Sequence, residues 1–376
     1  MSTPDTTCLP SSPSRRRAMR AGLVAGGAAA VTVATGCAST RPPTASSAPL
    51  RWRMATSWPA SLPLLNDCAQ DFAHLVRDAS GGRLSIELVD PARHGRPVGL
   101  LAAVRDGEFE MAHTTAQYYA AQLPAIDYFT AIPFGLTPVE QEGWLAEGGG
   151  QALFESLLAP LGVVPLTAGH TGIQMGGWFN RPIATAADLR GLRIRIAGFP
   201  GRVLARVGAT PVNLPLGQII PAFEDGRIDA ADVVGPAVDA TLPLSRHAPY
   251  YMAPWHEPDV ALHLFIDAGR LASLPDDLRQ IVRQAAQAAA MRSMARANDR
   301  NAVALAAMRA RGQDITPWPA EVLAALRRAT AEELAADAAR HPDARRVIDS
   351  LLGYRARVQA YSLAADQAVF QARGAG

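Results

Sequence analysis

The sequence predicts an α/β protein of two lobes joined at a hinge, and three observations predict it. Strand-like and helix-like segments alternate twice, once from about residue 51 and again from about residue 173. Glycines close several of the helical segments, as at Gly81-Gly82, Gly107, Gly208 and Gly226. A stretch free of proline and glycine from Asp276 to Arg311 is longer than one lobe needs.

In chain order, 51–57 alternates like a strand, 64–79 has helical spacing and 84–89 alternates again, a β-α-β start. A short helix over 98–106 and a strand over 111–115 complete the first series, which implies a mainly parallel sheet. The second series runs through strands at 192–196, 211–214 and 231–234 with helices at 201–207 and 218–224 between them. Ser273 stands where a cap is expected, Pro275 lies near the first turn, and Asp276 and Asp277 suit the positive end of a helix dipole. The helix they open would be about 54 Å long, enough to run beside the hinge along both lobes. Two more helical stretches, 320–340 and 344–371, are split at His341-Pro342.

All 36 basic residues are arginines, which excludes Schiff-base chemistry, a P-loop lysine and a lysine general base. The formal charge is +2, and residues 1–37, with four arginines and one aspartate, leave the remainder at −1. A chain so near neutrality offers no electrostatic footprint for nucleic acid. His256-Glu257 is no zinc-protease motif, because Pro258 breaks any helix there and residue 260 is valine. Gly148-Gly149-Gly150 lacks the spacing of a dinucleotide loop, and the sequence contains no Gly-x-Ser-x-Gly nucleophile elbow.

Residues 1–37 read as an export signal: Arg15-Arg16-Arg17 precede the apolar stretch 21–34, which is too short to span a bilayer. The paired arginines resemble a twin-arginine signal, and Ala34-Thr35-Gly36-Cys37 resembles a lipoprotein processing box. Residues 38–49, rich in Pro, Ser, Thr and Ala, form a flexible tether. Of three cysteines, Cys8 and Cys37 lie in the signal, so Cys68 has no intramolecular partner after processing and is expected as a small buried hydrophobe.

Gln174, Arg195, Asp232 and Glu257 each sit where they could turn a polar group toward one shared anion. A guanidinium, an amide and two carboxylates suit one small anion only if a cation stands between the acids and the ligand. That is a binding-site pattern rather than a catalytic one.

The stretches Gly169-His170-Thr171-Gly172-Ile173-Gln174-Met175-Gly176-Gly177-Trp178, Leu189-Arg190-Gly191-Leu192-Arg193-Ile194-Arg195, Gly208-Ala209-Thr210-Pro211, Gly226-Arg227-Ile228-Asp229-Ala230 and Trp255-His256-Glu257-Pro258 carry a specific resemblance. With Ser57-Trp58-Pro59 and Pro133-Phe134-Gly135-Leu136-Thr137-Pro138, they make the chain, over roughly residues 50–355, similar to the solute-binding proteins of tripartite ATP-independent periplasmic (TRAP) transporters, in the branch that binds 2-oxo acids.

The resemblance implies a two-lobed periplasmic binding protein fold with a hinge, a long lobe-spanning helix and C-terminal helices, lobe I comprising 50–171 and 258–297 and lobe II 172–257 and 298–376. It implies no enzyme but a periplasmic receptor that hands a small organic acid anion to TRAP membrane permease subunits. It assigns Arg195 to the substrate carboxylate, a planar fork that matches a carboxylate bidentately. It assigns a sodium or calcium ion to Gln174, Asp232, the Val233 carbonyl and Glu257, oxygen donors of the kind a hard cation requires. The chain departs from the branch where Glu-Trp becomes Asp232-Val233, one methylene shorter and without an indole wall, and where His170 replaces an asparagine.

Tyr118, Tyr119, Phe129, Trp178 and Phe199 are candidates for the pocket walls. Tyr119 and Trp178 are expected as ligand neighbours because they lie beside segments that match the family's site. A homodimer through the C-terminal helix would use Leu351, Leu352, Tyr354, Val358 and Tyr361. The alternatives are the same fold binding a dicarboxylate or aromatic acid without metal, and an exported enzyme.

Overall fold

The computed structural model describes residues 49–374 except Ala197 and Pro215, so the signal, most of the tether and Cys37 lie outside the described residues. The strands are β1 (Leu50–Thr56), β2 (Leu84–Val89), β3 (Met111–Thr114), β4 (Val163–His170), β5 (Trp178–Phe179), β6 (Arg193–Arg195), β7 (Thr210–Val212), β8 (Ala230–Ala231), β9 (Tyr250–Met252), β10 (Ala261–Asp267) and β11 (Ile315–Thr316). They form two sheets, ordered β2-β1-β3-β10-β4 and β11-β9-β5-β8-β6-β7.

The sheets are mixed rather than mainly parallel. β1 runs parallel to β2 and β3, but β10 is antiparallel to both β3 and β4. The reason is topological: β4 carries the chain out toward the second sheet and β10 brings it back, so the two crossing segments meet head to tail, with Ala261 opposite His170.

The helix Leu65–Ala79 buries Leu65, Cys68, Ala69, Phe72, Ala73 and Val76, an i, i+3, i+4 stripe that packs beneath the first sheet. Cys68 is buried as expected, its thiol donating to the Leu64 carbonyl at 3.0 Å, and burial pushes its pKa up to about 12.

The long helix is Asp276–Ala310, 35 residues or roughly 52 Å. Its buried face is small, with Ala285, Ala286, Ala289, Ala290, Ser293 and Ala297, which lets it lie close against β4 and the 65–79 helix. Farther along, Asn301 accepts from the Ala237 amide at 3.0 Å, so one helix braces both lobes. Pro275 occupies the cap, and Ser273 instead donates to the Arg270 carbonyl at 2.7 Å.

Two C-terminal expectations are corrected. The helix Pro342–Ala364 packs against Pro124–Phe129, Pro138–Glu147 and Gly150–Leu158, elements joined to the first sheet, so residues 298–376 do not all belong to lobe II. Leu351, Leu352, Tyr354 and Val358, expected as a dimer stripe, are spent on that internal packing, and only Tyr361 of the set is exposed, at 71%. None of the described helices is long and apolar enough to cross a membrane.

Candidate functional site: a cleft between the lobes

Arg195 ends β6, and β8 runs parallel beside it, so Asp232 follows the carboxyl end of the neighbouring strand. The Asp232 amide donates to the Arg195 carbonyl at 2.8 Å. Carboxyl ends of parallel strands are where open α/β sheets place ligands. The crossing segments bring the other two groups: the Gln174 amide donates to the Glu257 carbonyl at 3.0 Å, which fixes one beside the other at the hinge. The neighbouring chain must pass close to the second sheet. Gly177 has φ +97°, and a Cβ there would meet the Ala231 carbonyl oxygen at 2.9 Å.

Gln174, Arg195, Asp232, Val233 and Glu257 therefore line one cavity, together with Trp58, Thr115, Gln117, Tyr118 and Thr171 from the first lobe and hinge. Its volume is about 80 Å³, well below the roughly 300–1,000 Å³ of pockets for drug-sized ligands, which suits a small anion.

Two of the expected ligand neighbours are elsewhere. Tyr119 packs edge-on to Phe265 at 5.5 Å, its hydroxyl 3.2 Å from Thr114 Oγ1. The turn Ala116–Tyr119 sends successive side chains to different sides, so Tyr118 faces the cavity and Tyr119 the core. Trp178 stacks on Tyr251 at 4.1 Å because β5 pairs with β9 in that register, and its indole donates to Asp239 at 3.0 Å, behind the cavity wall. Phe129 and Phe199 are core residues.

Sequence reasoning passed over Trp58, Thr115, Gln117 and His256. Trp58 follows β1 and Thr115 follows β3, so both stand at carboxyl ends of parallel strands, a signal that could have found them. The Trp58 indole donates to His113 Nδ1 at 2.7 Å, which holds the ring in place.

The field in the cleft is uneven. The Arg195 Nε donates to the Leu214 carbonyl at 3.0 Å and Nη1 to the Asp232 carbonyl at 2.6 Å, which fixes the plane of the fork. Its Nη2 has no acceptor among the described residues. Burial, then the neighbouring Asp232 charge, pushes Glu257 up to about 8, while His256 and Arg195 pull it down.

His256 is fully buried with Nε2 3.0 Å from Asp232 Oδ1; burial opposes its charge, but Asp232 raises its pKa above the ordinary value. Tyr118 is 41% exposed as a residue, yet burial of the phenol raises its pKa, with Arg195 lowering it and Glu257 raising it, so its hydroxyl shares their field.

The residues fit a cation. Asp232, His256 and Glu257 offer donor atoms all within 4.8 Å of one another, and Gln174 Oε1 is buried with no partner among the described residues while its Nε2 donates to Thr171 at 3.1 Å. An orphaned amide oxygen beside two buried acids is costly unless something positive completes it. Two carboxylates and an amide oxygen form a hard donor set suited to sodium or calcium.

His170, the hinge histidine, bonds Asp259 through Nδ1 and lies 3.0 Å from Glu142 through Nε2. Burial opposes its charge, but the two acids raise it to about 10. It thus ties β4 to the returning segment instead of facing the ligand.

The chain is similar to several known proteins. The model of bacterial extracellular solute-binding protein family 7, DctP, matches residues 54–340. The chain is 33% identical over 314 residues, 83% of its length and 86% of the relative's, to the monocarboxylate 2-oxoacid-binding periplasmic protein of a Nostoc species. A TRAP periplasmic solute-binding protein of Pseudoalteromonas atlantica, solved with bound sodium and pyruvate, is 34% identical with a TM-score of 0.83, covering 86% of this chain and 99% of that one. One of Colwellia psychrerythraea, with bound calcium and pyruvate, is 33% identical with a TM-score of 0.84 over the same shares. The two-sheet fold, the hinged cleft and these matches make the chain a member of solute-binding protein family 7, the DctP family of extracytoplasmic TRAP transporter receptors.

Proposed function

We propose that the cleft captures a small 2-oxo or 2-hydroxy monocarboxylate of the pyruvate class, with Arg195 on its carboxylate and a sodium or calcium ion held by Gln174 Oε1, Asp232, the Val233 carbonyl and Glu257. The observation that carries this reading is the orphaned Gln174 Oε1, buried beside two acids in the cavity that Arg195 lines. When bound, the cation would supply positive charge that offsets the two acids and favours an anion beside them.

The chain's own groups do the rest. Arg195, its plane set by two backbone acceptors, presents an oriented fork, and a charge-assisted hydrogen bond from it contributes about 1.5–3 kcal/mol. Without the ion the cleft cannot hold Asp232, Glu257 and a monoanion all charged, and that repulsion opposes binding of the anion while both acids are ionised. Trp58 and Tyr118 from the first lobe give the ligand contacts that exist only when the lobes are together, so binding shifts the population toward the closed form.

TRAP receptors deliver to membrane permease subunits, and this reading extends that role to the present chain. Export by the twin-arginine route with lipidation at Cys37 is supported by the sequence of residues 14–37.

The test is a thermal-shift series on chelator-dialysed protein with pyruvate, lactate, succinate and benzoate, each with and without sodium or calcium. Stabilisation by pyruvate or lactate only in the presence of a cation is expected. Stabilisation by succinate or benzoate without any cation would overturn the reading in favour of a metal-free site.

A further inference from the structure

Behind the cleft wall stands a buried acid that no ligand-facing role explains. Asp239, at the end of the turn Pro236–Asp239, is 2% exposed, and its carboxylate accepts from three elements at once. Oδ2 takes the Trp178 indole at 3.0 Å from β5 and the Tyr251 hydroxyl at 2.9 Å from β9, while Oδ1 takes the Val234 amide at 3.1 Å. Burying a carboxylate is expensive unless its lone pairs are filled, and here two stacked aromatic side chains are committed to filling them.

The Val234 amide is the informative partner. A trans peptide sets the carbonyl of one residue antiparallel to the amide of the next. The N–H of Val234 and the carbonyl of Val233 belong to the same plane, so an anchor on the first aims the second away from Asp239. Val233 and Val234 both line the ligand cavity, whereas Asp239 lies in the wall of a separate cavity with Trp178.

The other side of Val234 is also fixed, since its carbonyl accepts from the Met175 amide at 3.1 Å, one residue from Gln174. A hydrogen bond to the amide polarises the peptide further and increases the negative charge on the Val233 oxygen.

From this geometry we infer that Asp239 is a positioning residue for the cation site: through the 233–234 peptide it orients and polarises the Val233 carbonyl as a cation donor, with Trp178 and Tyr251 holding the acid in place. The inference rests on the cation-dependent reading above and deepens it. It also accounts for a carbonyl donor that keeps its direction where the side chain is only valine.

The test is calorimetric titration of calcium chloride into chelator-dialysed protein at fixed pyruvate, for the wild type, Asp239→Asn, Tyr251→Phe and Trp178→Phe, with melting temperatures measured alongside. The calcium concentration for half-saturation should rise on the order of 10- to 100-fold in Asp239→Asn, the range for outer partners of metal ligands. It should rise by a smaller factor in each aromatic variant, and saturating calcium should restore the wild-type pyruvate affinity.

If the melting temperatures fall but half-saturation stays within twofold of the wild type, the network is only structural and the inference fails. If Asp239→Asn does not fold, the two aromatic variants decide by the same criterion. A wild type that binds pyruvate equally well without calcium or sodium would sink the functional reading and this inference together, an outcome distinct from failure of the variants alone.

Discussion

Arg195 and Asp232 are joined through the backbone more closely than through their charges: Nη1 donates to the Asp232 carbonyl at 2.6 Å, while the same nitrogen is 3.8 Å from the Asp232 Oδ2. The guanidinium is therefore not neutralised by a tight ion pair with the acid beside it. Each side chain keeps capacity for a different partner, the arginine for an anion and the aspartate for a cation.

Glu257→Gln should separate the apo protein from the loaded one. In the cation-free state burial and Asp232 push the Glu257 acid up to about 8, so it is largely neutral near pH 7 and an amide of the same shape costs little there. The variant should melt at or above the wild-type temperature in cation-free buffer, and the stabilisation that calcium and pyruvate give the wild type should be lost. A lower apo melting temperature with the ligand response intact would contradict the assignment.

The fold was legible where periodicity and punctuation are local. The stripe in 65–79, the glycine stops and the proline-free run from 276 each depend on neighbours within a few residues. What stayed hidden depends on contacts distant in sequence. The antiparallel return of β10 arises only because the chain crosses the hinge twice, and the Pro342–Ala364 helix packs on the first lobe through residues more than 200 positions away, as Trp144 with Ser350. In the site, residue type and motif pointed to Gln174, Arg195, Asp232, Val233 and Glu257, which the fold brings to one cavity. Tyr119 was one position from the residue that faces it, because a tight turn rotates adjacent side chains apart and no pattern of polarity marks which one turns inward.

Arg202→Met should loosen the protein away from the ligand. Arg202 donates through Nε to Glu333 at 2.9 Å and through Nη2 to Asp337 at 2.7 Å, and reaches Asp127 at 3.4 Å, while the Tyr128 hydroxyl donates to Asp337 at 2.6 Å. The cluster ties the helix after β6 to the first lobe and to the 320–340 helix. Breaking a fully buried pair costs 3–5 kcal/mol, but Arg202 is 38% exposed, so solvent screening reduces the expected loss to about 1–2 kcal/mol. Denaturant unfolding measures it, and an unchanged midpoint would show the cluster to be energetically silent.

Acid should destabilise the first lobe through two histidines. Burial pushes His113 down to about 4 and, with His170 and His113 nearby, His263 down to about 3, from 6.5. Both Nε2 atoms lack partners among the described residues. The folded values lie below the unfolded one, so the unfolded chain takes protons first; stability is full above about pH 6.5 and is lost as pH falls toward 4. His170, raised to about 10 by Asp259 and Glu142 against its burial, has the opposite sign, with its contribution present below 6.5 and lost as pH rises toward 10. Melting temperature should peak near neutrality, and His263→Gln should flatten the acid limb. An unaltered acid limb in that variant would remove His263 from the account.

The central claim, that Arg195 and a cation ringed by oxygens grip opposite sides of one small anion, is tested most directly by a crystal structure of the protein grown with calcium and pyruvate. The account predicts a pyruvate carboxylate oxygen about 2.7–2.9 Å from an Arg195 nitrogen. It also predicts an ion about 2.3–2.6 Å from Gln174 Oε1, the Val233 carbonyl and the carboxylates of Asp232 and Glu257. Pyruvate seated away from Arg195, or a pyruvate-loaded cleft in which those four residues surround no cation, would contradict it.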